Sequence, residues 1–465
     1  MSFLCSEKIF SYIIVAVALL CMAACASDDE DEVVIVEPVH QTVVMFFPWS
    51  TNLKSAFQRN VQDFSDMIAR RGLKGERVVV CMATTSTDAA LFELKVKKGK
   101  CVADTLRRYK NRTFTSASSM ASLFSDIKTM APAEKYGLIV GSHGMAWLPV
   151  DNSRQSRRMV KHYDVGGPLP TRYFGGLTTD TQIETSALAQ ALADTDLKME
   201  YILFDDCYMS SVEVAYEMKG VAHYIIACPT EIMSYGFPYG RCGEYLLGSL
   251  DYRNVVDNFI GYYSFSSSPY ATAAVTDCTQ LDDLADIVRQ INEGVGEKSV
   301  SLTDVQPMDG YEPSLFFDFG DYIRHKCEDA LLLEAFNAQL DKVVPYKGNT
   351  EYYYSALCGK VRIDRYSGLN TSESSLNTLF QGYDNTAWYK ATHCKQSIKQ
   401  ALMRFGFKPK SSQVMQISLS TRLLVNLSTR LLVNLFRIQC PHGVENSDNR
   451  DADIGKDSHP HRGYS

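Results

Sequence analysis

Several large function classes leave no mark on this chain of 465 residues. It has no glycine-rich phosphate loop of the Walker type, no Gly-x-Gly-x-x-Gly dinucleotide fingerprint and no His/Cys pairs at zinc spacing. Positive charge is not in excess either. The net charge of −7 gives no support to a nucleic-acid partner, which normally shows as a basic surface. The thirteen cysteines form no dense short-range framework of the kind that staples small secreted domains. The apolar stretch from Ile9 to Met22 is too short to span a bilayer comfortably. What remains is an ordinary globular composition, 45% hydrophobic and 22% charged, with enough apolar material for a sizeable core. The length suits one large α/β domain with an appendage, or two or three smaller domains.

The first 24 residues read as a targeting segment. Lys8 precedes the apolar stretch, which ends at Met22-Ala23-Ala24-Cys25. That ending resembles the lipobox of bacterial lipoprotein signal peptides, which implies cleavage before Cys25 and lipidation of its sulfur. The other reading is an uncleaved membrane anchor. Ser27 to Glu32 is acidic and cannot build a core, so residues 25–42 read as a solvated tether. An acidic stretch beside the lipidated cysteine also resembles a surface-export signal. The expectation is a lipid-anchored protein of the bacterial outer membrane or cell surface.

From Val43 onward, strands and helices alternate. Val43–Phe47 and Arg77–Met82 read as buried strands, and helical patterns run over 53–71 and 116–130. In the second helix Met120, Leu123, Phe124 and Ile127 share one face. Further strands are predicted at 136–140, 201–204 and 222–227, with helices at 185–194 and 212–218. Such alternation predicts parallel βαβ units and an α/β fold. After Tyr245 come a helix over 282–293, a strand near 315–319 and a helix over 327–343. Residues 43–245 are expected to form the main domain and 246–409 a smaller C-terminal part.

Two of the predicted strands end in reactive side chains. Tyr136-Gly137-Leu138-Ile139-Val140 runs into Gly141-Ser142-His143-Gly144, and Tyr201-Ile202-Leu203-Phe204 runs into Asp205-Asp206-Cys207. In a parallel sheet the carboxyl ends of the strands lie along one edge, where α/β proteins place their ligands. A histidine and a cysteine delivered there are the parts of an activated thiol nucleophile. By itself Cys207 could equally be an inert buried thiol and His143 a structural histidine. His162, His223 and His393 are read as structural. Cys81 and Cys228 follow β-branched runs and read as buried small hydrophobes, Cys228 being the rival nucleophile.

The local sequences add a resemblance. Ser142-His143-Gly144-Met145-Ala146-Trp147 resembles the His-Gly-x-x-Trp segment of the clostripain family of cysteine peptidases. Asp205-Asp206-Cys207-Tyr208-Met209 resembles its nucleophile segment, and Ser234-Tyr235-Gly236-Phe237-Pro238-Tyr239 its Gly-Trp-Pro-Tyr loop. The three occur in the family's order, and the resemblance covers roughly Val43 to Pro409. It implies a caspase-like α/β/α sandwich with a largely parallel sheet. Cys207 is then the nucleophile, His143 the proton carrier, and the backbone N–H groups of Gly144 and Cys207 the oxyanion donors. Asp205 by itself could be a structural carboxylate accepting backbone N–H bonds, whereas the resemblance implies that it helps form an acidic S1 pocket selecting Arg or Lys at P1. The second acid of basic-specific relatives is replaced here by Tyr235, which weakens that preference. Residues 151–181 read by themselves as a solvated surface loop, whereas the resemblance implies a self-processing loop, with Arg157 and Arg158 as candidate P1 residues if basic side chains are preferred. Protein or peptide substrates are expected, membrane attachment only through Cys25, and no cofactor or resident metal; a calcium requirement is not written in the sequence.

The end of the chain departs from this pattern. Leu419–Asn426 recurs unchanged as Leu427–Asn434, too short a unit for a solenoid. A polar tail follows, so residues 410–465 read as a duplicated segment and a solvated tail, where His459 and His461 carry little weight as metal ligands. The alternative function is a lipoprotein that binds peptide or glycan on a disabled peptidase fold.

Overall fold

The computed structural model describes residues 39–48, 52–148, 183–295, 300–372 and 382–393. Cys25, Arg157, Arg158, His162, the processing loop and the duplicated segment lie outside the described residues.

The core is a nine-stranded sheet. In chain order its strands are β1 (Gln41–Phe47), β2 (Glu76–Ala83), β3 (Ala89–Lys97), β4 (Lys100–Tyr109), β5 (Lys135–Val140), β6 (Met199–Phe204), β7 (Ala222–Ala227), β8 (Thr272–Asp277) and, beyond the short β9 (Phe317–Asp318), β10 (Tyr346–Asn349). Across the sheet they lie in the order β10-β8-β7-β6-β5-β1-β2-β3-β4. The five central strands, β7 to β2, are mutually parallel, whereas β3 and β8 run antiparallel to their neighbours. This is the expected α/β architecture. β1 is buried at every position, as a strand covered on both faces must be.

Helices cover both faces. Lys54–Arg71 packs beside Tyr239–Cys242, which in turn meets Tyr252–Ser264. Ala117–Met130, Thr185–Asp194, Val212–Met218, Ala387–His393 and Leu281–Val295 form the other row, each touching the next. Met120, Leu123, Phe124 and Ile127 are all buried, as their spacing predicts. Ser116 starts that helix with a reciprocal capping box to Ser119.

Departures from the expected pattern concentrate outside the βαβ repeat. The β3–β4 hairpin and strands β8 and β10 are not apparent in the sequence reading. The strand near 315–319 shrinks to the two residues of β9, because Asp318 caps a helix over Phe319–Lys326 with its carboxylate on Asp321 N–H at 2.9 Å. The single helix expected over 327–343 begins instead at Ala330, where Asp329 accepts the N–H groups of Leu331 and Leu332. Residues beyond 245 thus place β8 and β10 in the main sheet. They also form the hairpin β11 (Tyr352–Ser355) with β12 (Gly359–Arg362), and the ladder of β13 (Asn370–Thr371) with β9.

Register fixes the position of the two reactive side chains. β5 and β6 are neighbours at the middle of the sheet, with Val140 opposite Phe204. His143 and Cys207 each follow that pair by three residues, so both emerge from the same edge on adjacent strands about 4.8 Å apart.

Candidate active site

Gly141 N–H extends the β1–β5 ladder by donating to Phe46 C=O at 3.0 Å. The chain then turns sharply. Ser142 N–H donates to the Asp206 carboxylate on the neighbouring loop, fixing the two strand ends to each other. His143 is nearly buried, and its Nε2 lies 3.0 Å from the side-chain oxygen of Asn52. Further along, Ala146 adopts φ +52°, and Trp147 packs edge-on against Tyr383 while its indole N–H reaches Ser372 Oγ.

The second loop is bound more tightly. Asp205 N–H continues the ladder to Val140 C=O at 2.8 Å. Cys207 is fully buried, and its sulfur receives the Ile232 N–H at 3.3 Å. Tyr208 then takes φ +63°, a left-handed conformation that costs a bulky residue about 1–3 kcal/mol and persists only where the surroundings enforce it. Those surroundings are the Phe316 ring stacked on it at 4.8 Å and the Glu231 carboxylate accepting its hydroxyl at 2.9 Å. Asn370 holds the loop from behind, donating to Tyr208 C=O at 3.1 Å and Pro229 C=O at 2.7 Å.

The two loops are in backbone contact. A Cβ on Gly144 would overlap the carbonyl oxygen of Cys207 and come within 2.9 Å of its nitrogen, so only glycine brings this turn so close to the cysteine.

A model of the clostripain family matches residues 50–406, which span both loops. The chain belongs to the clostripain family. Among solved structures, it is 43% identical to a secreted C11 cysteine protease of Bacteroides thetaiotaomicron called iotapain, covering 77% of this chain and all of that one with a TM-score of 0.71. An inactive zymogen C11 protease of Parabacteroides distasonis is 26% identical over 77% of this chain and all of that one, with a TM-score of 0.65. A further secreted C11 protease of B. thetaiotaomicron, solved with an irreversible peptide inhibitor, has the same fold at 20% identity, covering 76% of this chain and 98% of that one (TM-score 0.63). A search of the curated proteins found no match. The protein is a cysteine peptidase, and peptides or proteins are its substrates.

The environment of the clostripain-type cysteine differs from the simplest expectation of a thiolate stabilised by a neighbouring imidazole. Burial pushes the Cys207 thiol well above its ordinary value, the Glu231 charge adds to this, and the Ile232 N–H opposes it. Cys101 and Cys358 are partly exposed. In the intact chain, iodoacetamide is therefore expected to label Cys101 and Cys358 ahead of Cys207. Labelling of Cys207 should keep rising with pH beyond the range in which an ordinary thiol has already ionised. Mass mapping of the alkylated peptides checks the order; Cys207 labelled first at neutral pH would show the site to be more open than this.

Asp205 and Tyr235, the residues expected to set specificity, make separate contacts. Asp205 is fully buried and accepts Phe237 N–H at 3.1 Å and the Tyr239 hydroxyl at 2.9 Å, which ties the third family segment to the nucleophile segment. Tyr235 turns away, donating its hydroxyl to Asp63 on helix Lys54–Arg71 and stacking on Tyr262 at 5.3 Å beneath the Arg59 guanidinium. Cys228 is buried one strand over, His223 stacks on Tyr224, and His393 stacks on Tyr389.

Sequence reasoning missed Asn52, Glu231, Ile232 and the brackets from 370–372. Asn52 and Glu231 do carry a signal. Each follows the carboxyl end of a parallel strand, β1 or β7, so the rule that singled out His143 and Cys207 applies to them. Glu213 does not: it lies in the helix Val212–Met218 that follows Cys207, fully buried, and accepts from Ser211 Oγ, Thr371 Oγ1, Ser372 N–H and the Tyr383 hydroxyl. Among the described residues no cluster of His, Cys, Asp and Glu could hold a metal ion, and no helix is long and apolar enough to cross a membrane.

Proposed function

We propose that Cys207 attacks the scissile carbonyl and that His143 takes the thiol proton and passes it to the leaving amine. The S–C bond forms first, giving a tetrahedral oxyanion; the C=O bond is then restored as the C–N bond breaks and the protonated amine leaves, and water cleaves the thioester to release the acyl product. The N–H groups of Gly144 and Cys207 face the developing oxyanion. The observation carrying this reading is the backbone contact between the two loops, which holds a histidine and a cysteine from adjacent strand ends together. A Cys207→Ala variant that remains a single intact chain while the unmodified protein cleaves itself is the direct test.

The same reading extends to specificity and location. Asp205 forms the acidic floor of S1 and favours Arg or Lys at P1, with self-processing after Arg157 or Arg158. Its two oxygens already accept Phe237 N–H and the Tyr239 hydroxyl, so a P1 guanidinium would add a charge-assisted contact to a carboxylate held in place by those two bonds. Tyr235 in place of a second acid weakens the preference by about 1.5–3 kcal/mol, the scale of a hydrogen bond to a charged group. On a P1 library of fluorogenic peptides, Arg should exceed Ala and Leu in kcat/KM, and Asp205→Asn should abolish the difference. Equal cleavage of basic and neutral P1 residues by the unmodified protein would remove Asp205 from the pocket. Lipidation of Cys25 anchors the peptidase at the outer membrane or cell surface; mass spectrometry of the mature N-terminus tests it. The two-part division, 43–245 with 246–409, is best probed by limited proteolysis.

A further inference from the structure

Asn52 sits in the turn between β1 and helix Lys54–Arg71, two strand ends away from Cys207 along the same edge of the sheet. Its side-chain oxygen lies 3.0 Å from His143 Nε2. An amide oxygen only accepts, so the ring must donate, which places the proton of the neutral imidazole on Nε2. The other ring nitrogen, Nδ1, is buried. A neutral imidazole protonated on Nε2 offers the lone pair of Nδ1 as its base.

We propose that Asn52 is a positioning residue for the peptidase reaction: it fixes the ring orientation and tautomer of His143 so that Nδ1 serves the Cys207 thiol. When His143 takes the thiol proton the ring becomes imidazolium, and the Asn52 oxygen still accepts Nε2–H, so the contact holds in both protonation states. Turn geometry keeps Asn52 in reach. Leu53 caps helix Lys54–Arg71, and Phe57 on that helix stacks at 4.8 Å on Phe47, the last residue of β1. Strand end and helix are thereby locked together, which limits where the amide can go. This inference rests on the Cys207–His143 reading.

The test compares the unmodified protein with Asn52→Ala and Asn52→Asp. Alanine removes the acceptor; aspartate restores one of the same length. Asn52→Ala should lower kcat by roughly 10–100-fold, the usual cost of losing a group that orients a functional histidine, with KM within about twofold. Asn52→Asp should recover most of that loss, because a carboxylate accepts from the same nitrogen. Nitrogen-15 NMR of labelled histidine, about two pH units above the ordinary imidazole value, reads the tautomer directly. His143 should be Nε2-protonated in both the unmodified protein and N52D, and a mixture of tautomers in N52A. A kcat for N52A within about twofold of the unmodified protein overturns the proposal. So does equal impairment of both variants with an unchanged tautomer, since that would be a structural effect alone. If the unmodified protein cleaves no peptide, the Cys207–His143 reading fails instead, and the NMR comparison still decides whether Asn52 sets the tautomer.

Discussion

Cys207→Ala is expected to abolish peptide cleavage, with kcat/KM falling by roughly 10⁴-fold or more while the protein stays folded. The loss is large because nothing nearby can replace the sulfur. Cys228 follows β7, two strands from the β5 end that carries His143, and Cys242 hydrogen-bonds to Pro238 C=O. His143→Ala removes only the proton carrier and should cost about 10²–10⁴-fold. The double variant should be hardly worse than Cys207→Ala, since the two groups act in one step. Cys228→Ala is the informative control: it deletes a buried sulfur of similar surroundings and should leave activity near normal. Fluorogenic turnover with thermal unfolding for each variant separates chemistry from folding. Activity lost in Cys228→Ala and kept in Cys207→Ala would reassign the nucleophile.

Gly144→Ala is expected to be severely damaging for a single added carbon. The new Cβ would overlap Cys207 C=O and lie 2.9 Å from both Cys207 N and Asp206 Cβ, and backbone atoms cannot swing aside as a flexible side chain can. One of the two loops must move. Overpacking of this kind costs about 1–3 kcal/mol. The catalytic cost is greater if, as proposed, the Gly144 and Cys207 N–H groups hold the oxyanion, since losing one such donor costs about 10²–10³-fold in kcat. Gly220→Ala supplies the comparison. A Cβ there meets nothing within 4 Å, and the position is exposed, so stability and activity should both be unchanged. A fully active Gly144→Ala protein would mean that the turn is not where the oxyanion is held.

Much of the architecture around the site is legible in the sequence because it is local. Parallel strands buried on both faces read as short apolar runs, and β1, β2, β5, β6 and β7 all stand out that way. The edges do not. β4 alternates exposed and half-buried positions among Lys and Arg, and β10 is a four-residue strand containing Gly348 and Asn349. Composition there says loop, and only pairing with an existing sheet makes them strands. The site divides similarly. His143 and Cys207 follow recognisable strands, whereas the partners of those groups are distant in the chain: Asn52 lies 91 residues from His143, and Ile232 lies 25 from Cys207. The burial that raises the Cys207 thiol is a property of the packed molecule, and no local pattern announces it.

The brackets from Asn370 to Ser372 give the site a time of completion. His143 and Cys207 leave the ribosome early, but the amide that holds Tyr208 in its strained conformation, and the hydroxyl that receives Trp147, come more than 160 residues later. At elongation rates of about 5–20 residues per second, that interval lasts roughly ten to thirty seconds. Throughout it the nascent chain carries a thiol and an imidazole on a growing sheet, without the braces that set their geometry. A chain interrupted in this interval would lack the Asn370 and Ser372 contacts that brace the two loops.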